Sequence, residues 1–131
     1  MQTIDLPWPP SMNHYWRHVG SRVLISRQGR EYRAHVVGIL QGCGPRKPPA
    51  SGRVAMVLDV YPPDRRRRDL DNLQKPVLDA LEHAGLYEND SQVAWLLTRR
   101  RAVVPGGALT VTLEDYPLIR CPSCGAAYSE K

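Results

Sequence analysis

The stretch Val54-Ala-Met-Val-Leu-Asp-Val-Tyr61 is nearly continuous in apolar residues and is the strongest strand signal in the chain. Half-exposed strands alternate apolar and polar residues, whereas a strand in the middle of a sheet, covered on both faces, does not. We therefore predict that Val54–Tyr61 is a central, doubly covered strand, around which the neighbouring segments are arranged.

This strand leads directly into a charged run, Pro62-Pro-Asp-Arg-Arg-Arg-Arg-Asp-Leu-Asp-Asn-Leu-Gln-Lys75. Guanidinium groups bind phosphate, and carboxylates without a nearby histidine or cysteine suit a hard cation such as Mg2+. The run therefore predicts a phosphodiesterase centre. Its candidate DNA contacts are the four consecutive arginines, Arg65, Arg66, Arg67 and Arg68.

A helix is predicted after this run, because Leu73, Val77, Leu81 and Ala84 recur at helical spacing before Gly85. Its start is open between two positions. Asp71 followed by Gln74 resembles a capping box, but Pro76 would then remove a hydrogen bond inside the helix, so either the first turn is distorted or the regular helix begins nearer Leu73.

The candidate metal ligands are three aspartates, Asp69, Asp71 and Asp90. In an extended backbone, side chains two residues apart share a face at about 7 Å, so Asp69 and Asp71 are expected to share one ion. Lys75 lies one helical turn after Asp71. A helix that returns beside its preceding strand would bring Asp90 back to this pair. We expect Mg2+ here, with Lys75 stabilising charge on the phosphoryl oxygens or assisting proton transfer.

The remaining segments predict one α+β domain in which a mixed β-sheet packs against two main helices. Ser26 is the expected N-cap of the first main helix, over residues 27–41. Further strands are expected over residues 2–6, 22–25, 92–102 and 108–113, the last two forming a hairpin.

The segment Ser11-Met-Asn-His-Tyr-Trp-Arg-His18 combines aromatic and basic side chains. Such a segment can stack on bases and hold phosphates, but a chain without phenylalanine also needs its other aromatic residues for the core. We favour core packing for the tryptophans and DNA contact for Arg17 and His18.

The totals are those of one ordinary globular domain of 131 residues with net charge +5, which favours a polyanionic partner. No apolar run is long enough to span a membrane, so no membrane partner is expected. Three cysteines, an odd number, do not make a disulfide framework. The expected location is the cytoplasm.

Several of these residues together resemble the RusA family of Holliday junction resolvases. The resemblance covers about residues 1–115, expected to form the endonuclease domain. It is carried by the run from Pro62 to Lys75, then Leu78-Asp-Ala-Leu81, Ala84-Gly85 and Asp90-Ser-Gln-Val93, and by the opening Leu6-Pro-Trp-Pro-Pro-Ser11 with Asn13, Tyr15, Arg17 and His18.

The resemblance implies an α+β homodimer that binds four-way DNA junctions and nicks two strands symmetrically, using Mg2+ or Mn2+. It assigns catalysis to Asp69, Asp71, Asp90 and Lys75, with Asn72 supporting the site. It also implies a bacterial enzyme of phage or prophage type. Two alternatives stay open: a nuclease for other branched DNA such as flaps or forks, and a non-catalytic basic DNA-binding protein.

The tail, residues 116–131, departs from the family pattern and carries Arg120-Cys-Pro-Ser-Cys-Gly125. Structural zinc wants four ligands, and Cys121 with Cys124 supplies two. Cys43 is a possible third ligand, or two copies of the chain share one four-cysteine site. A flexible tail without zinc is the other interpretation.

Overall fold

A computed structural model describes residues 2–43, 52–116, 118–121 and 123–129, with the backbone alone for 118–120 and 127–129. The prediction of a single α+β domain with a mixed sheet and two main helices is confirmed. The strands are β1 (Gln2–Leu6), β2 (Trp16–Val19), β3 (Arg22–Ile25), β4 (Val54–Tyr61), β5 (Val93–Arg100), β6 (Ala108–Asp115), β7 (Leu118–Arg120) and β8 (Ala127–Ser129). The helices are α1 (Met12–Tyr15), α2 (Arg27–Gly42) and α3 (Asp71–His83), followed by a 3-10 turn, Asp90–Gln92.

The main sheet has four strands in the order β1-β6-β4-β5, so β4 is central as predicted. Strand β4 pairs with β5 in parallel and with β6 antiparallel. Its first five residues and Val60 are buried. Helix α3 connects the parallel strands β4 and β5, as such a pair requires a crossover.

The predicted hairpin between the last two strands of the domain is wrong. Strand β5 lies on one side of β4 and β6 on the other, so residues 101–107 cross the end of β4. Two hydrogen bonds hold this crossing: Arg101 N–H donates to the Val60 carbonyl at 2.8 Å, and Val104 N–H to the Pro62 carbonyl at 2.9 Å. In the observed order, the central apolar strand β4 has a strand partner on each edge. A hairpin between β5 and β6 would leave one of these edges without its partner.

Helices α2 and α3 pack on one face of the sheet and form the core with β4. Val77, Ala80 and Leu81 of α3 are fully buried, as are Met56 and Leu58 of β4. Burying each large side chain of this kind stabilises the fold by about 1.5–3 kcal/mol. Ser26 caps α2 as predicted, its hydroxyl accepting from Gly29 N–H at 3.0 Å.

Helix α3 begins at Asp71 and continues through Pro76. The capping-box interpretation is wrong, because the N-cap residue is Leu70, whose side chain makes no capping hydrogen bond. The Gln74 amide instead donates to the Thr98 hydroxyl of β5 at 2.9 Å. The Pro76 ring is buried against the core, and this packing offsets the one hydrogen bond that proline removes.

Residues 11–25 form the short helix α1 and the hairpin β2–β3. The core prediction for the tryptophans is confirmed, since Trp8 and Trp16 pack against the core cluster, of which Tyr15 is a fully buried member.

None of the helices in the described part of the chain has the length and apolar character of a membrane-spanning segment.

Candidate active site

The contact that defines the site joins Lys75 to Asp90. The Lys75 ammonium donates to Asp90 Oδ2 at 2.6 Å, linking the second turn of α3 to the first residue of the 3-10 turn before β5. This hydrogen bond raises the pKa of Lys75. The Lys75 side chain stays about half exposed, so its ammonium remains accessible to a ligand.

Asp69 and Asp71 lie at the start of α3, and both are exposed. The expectation that they lie on an extended backbone is wrong, because Leu70 between them has helical φ and ψ of −61° and −37° and Asp71 is already helical. The Asp69 carbonyl accepts from Asn72 N–H at 3.2 Å, which fixes this first turn. The acidic start of α3 suits its helix dipole, which places partial positive charge there.

Among the residues that the structure describes, no three carboxylate, imidazole or thiol groups lie close enough together to hold one metal ion. The donor chemistry nevertheless fits a hard cation, since Asp69, Asp71 and Asp90 offer only oxygen ligands. Their joint role as ligands stays a prediction.

The four arginines after β4 differ in their surroundings. Arg68 binds Asp64 through two hydrogen bonds of 2.6 and 3.1 Å, and its guanidinium lies over the Trp8 ring, 5.7 Å from the centroid. This hydrogen bonding lowers the pKa of Asp64 to about 2. Arg65, Arg66 and Arg67 are exposed. Arg68 therefore orders the loop that presents the other three to solvent.

A second arginine run, Arg99–Arg100–Arg101, was missed from the sequence. It ends β5, and β4 and β5 are parallel, so both runs lie at the same end of the sheet. The Arg100 side chain donates to the Arg68 carbonyl, which joins them. Arg99 is held by Asp59 at 2.7 Å, whereas Arg100 and Arg101 are exposed. The sequence signal for this cluster is that each arginine run follows or ends a strand, and that the carboxyl ends of adjacent parallel strands lie side by side.

Arg17 and His18 point to opposite faces of the hairpin β2–β3, as successive strand residues do. His18 is paired in register with Val23, and both line a groove that Lys75 also lines. Arg17 lies on the other face. Of the two predicted DNA contacts in this segment, the structure therefore brings His18 towards the candidate site.

The family model described as Endodeoxyribonuclease RusA matches residues 7–114. The chain belongs to the RusA family. It is 42% identical over 116 residues to the crossover junction endodeoxyribonuclease rusA of Enterobacteria phage 82, covering 86% of this chain and 92% of that protein. Its identity to the Escherichia coli K12 protein of the same name is 40% over 117 residues, covering 86% and 93%. The Enterobacteria phage HK97 protein is 42% identical over 111 residues, covering 84% and 91%.

Proposed function

We propose that this RusA-family protein hydrolyses phosphodiester bonds in four-way DNA junctions. The observation that carries the proposal is the Lys75–Asp90 pair, placed on the helix whose first residues include Asp71. The similarity to proteins named crossover junction endodeoxyribonucleases supports the choice of a branched substrate.

The metal in this proposal is Mg2+, or Mn2+ in its place, with Asp69, Asp71 and Asp90 as the residues that would hold it. Such an ion supplies Lewis-acid activation of the phosphoryl group and of a water molecule. In the structure Lys75 already neutralises Asp90.

The Lys75 ammonium has a second role in this proposal. Because it is half exposed and hydrogen-bonded to Asp90, it can donate to a phosphoryl oxygen as negative charge develops there. Asp90 orients it. Asn72, in the first turn of α3, is proposed to support the acidic start of the helix.

The two arginine runs, which meet at one end of the sheet, contact the DNA backbone beside the scissile bond in this proposal. Arg65, Arg66, Arg67, Arg100 and Arg101 are exposed at the end of the sheet. Guanidinium groups contact phosphate without reading sequence, so they position the duplex arms.

We also propose a homodimer, since two strands of a two-fold junction call for two active sites. The face of the sheet opposite the helices supports this. Trp95 and Leu97 of β5 lie on it, beside Ala55 and Val57 of β4, and both are only half buried. The outer edge of β5 has no strand partner within the described residues. A second copy would cover this apolar surface.

The metal requirement is tested by incubating the protein with a synthetic immobile junction in Mg2+, in Mn2+ and in EDTA. Cleavage with either ion, none in EDTA, and recovery when excess Mg2+ is restored are the expected results. Equal cleavage in EDTA would contradict the metal role. Binding without cleavage in any condition would favour a non-catalytic DNA-binding protein.

The exposed arginines are tested by replacing Arg66 and Arg67 together with alanine. We expect weaker junction binding and a shallower dependence of log Kd on log salt, because each phosphate contact on duplex DNA contributes roughly 0.9 to that slope. Kd measured by fluorescence anisotropy over a range of salt checks this. The matched control is Arg27→Ala, an exposed arginine of α2 paired with Glu31, which should leave the slope unchanged. An unchanged slope in the double variant would mean that Arg66 and Arg67 do not contact DNA.

A further inference from the structure

A groove of about 410 Å3 opens beside Lys75. It is lined by Met12, Asn13, Trp16, His18, Val23 and Lys75. Its size lies within the usual range of small-ligand sites, about 300–1,000 Å3. Because Lys75 forms part of its wall, whatever fills the groove lies next to the candidate active site.

The groove wall combines apolar and hydrogen-bonding groups. Met12 and Val23 are 40% and 58% exposed, so the wall offers apolar surface to a ligand. Asn13 and His18 are exposed beside them and offer donors and acceptors. A flat aromatic ligand with polar edges, such as a nucleobase, matches both features.

The wall is fixed to the helix that carries Lys75. The Tyr15 hydroxyl, on α1, donates to Asp79 on α3. Arg33 of α2 bonds the same Asp79 at 2.7 Å and the Tyr15 hydroxyl at 2.9 Å. The Asp79 and Arg33 side chains are 17% and 25% exposed, so solvent screens this network only in part. The groove is therefore pre-shaped.

We propose that this groove receives an unstacked base of the nucleotide next to the scissile phosphate, and that Asn13 reads its edge. This inference rests on the proposed function and adds a site that would distinguish one base from another beside the cleaved bond. Trp16, Met12 and Val23 contact the base face, and a branch point supplies bases that unstack at low cost. The His18 imidazole hydrogen-bonds the base edge or the adjoining phosphate.

The test uses a panel of immobile junctions that differ only in the two base pairs flanking the cleavage position. Wild-type protein should cut the best and worst members at rates that differ by about tenfold or more, the size of one direct base contact. Asn13→Ala should bring these rates within about threefold of each other while junction Kd stays near wild type. Val19→Ala, an exposed hairpin residue outside the groove lining, is the control and should keep the wild-type ranking.

Two results for the Asn13→Ala variant would overturn the groove proposal. One is an Asn13→Ala variant that keeps the wild-type ranking. The other is a variant that lowers every rate by the same factor, which would indicate a structural or phosphate-binding role. A wild-type protein that cuts every junction of the panel at one rate would also overturn the groove proposal, while leaving the proposed function intact. Failure to cut any junction would contradict both the groove proposal and the proposed function.

Discussion

Asp71→Asn is expected to lower junction cleavage by about 10^3-fold or more, because in the proposed site it removes a charged metal ligand and with it several kcal/mol of transition-state stabilisation. Junction binding should stay within roughly threefold of wild type, since phosphate contacts by the arginines are untouched. Single-turnover cleavage in Mg2+ and Kd measured in Ca2+ or EDTA check the two halves of this result.

The matched control is Asp115→Asn, an exposed aspartate at the end of β6 with the same change of charge. It should cleave at the wild-type rate. Substantial cleavage by Asp71→Asn, or equal losses in both variants, would contradict the assignment of Asp71 to the metal site.

Gly29→Ala is expected to destabilise the fold by about 2–3 kcal/mol, the cost of adding a methyl group where no space exists. A Cβ atom at Gly29 would lie 2.4 Å from the Tyr15 carbonyl oxygen and 2.8 Å from Ile25 Cγ1. Helix α2 would then move away from α1 and the hairpin. Chemical denaturation should show the lower free energy of unfolding directly. Thermal unfolding should show a fall in Tm of roughly 6–15 °C.

Gly38 in the same helix provides the control. A Cβ atom there meets nothing within 4 Å, so Gly38→Ala should be neutral or stabilise the helix by up to about 1 kcal/mol. If Gly29→Ala were as stable as Gly38→Ala, the close approach of α2 to Tyr15 would not be a constraint on the fold.

The helices and central strand were predictable because their apolar patterns are long and unambiguous. The apolar run Val54–Tyr61 indicates a buried strand, and Leu73, Val77 and Leu81, each four residues after the last, indicate a helix. Strand order was not predictable in the same way. The hairpin expected for β5 and β6 does not form, because each of these strands pairs with a different edge of β4.

Lys75 and Asp90 were both candidate site residues from the sequence, but the geometry of their contact was not predictable. Lys75 and Asp90 are 15 residues apart, and their contact depends on how α3 returns beside the sheet. The extended arrangement expected for Asp69 and Asp71 fails because the helix begins earlier than the proline suggests. The groove walled by residues 12–23 lies beyond sequence reasoning, since periodicity does not show which face of a short hairpin meets a helix.

The most direct test of junction resolution is a cleavage map in Mg2+ with each strand of an immobile four-way junction labelled in turn. A linear duplex and a flap of the same sequence serve as the other substrates. Paired nicks at symmetric positions on two opposed strands, seen on the junction alone, are the predicted result. Cleavage of the linear duplex at the same rate, or of the flap instead of the junction, would contradict it.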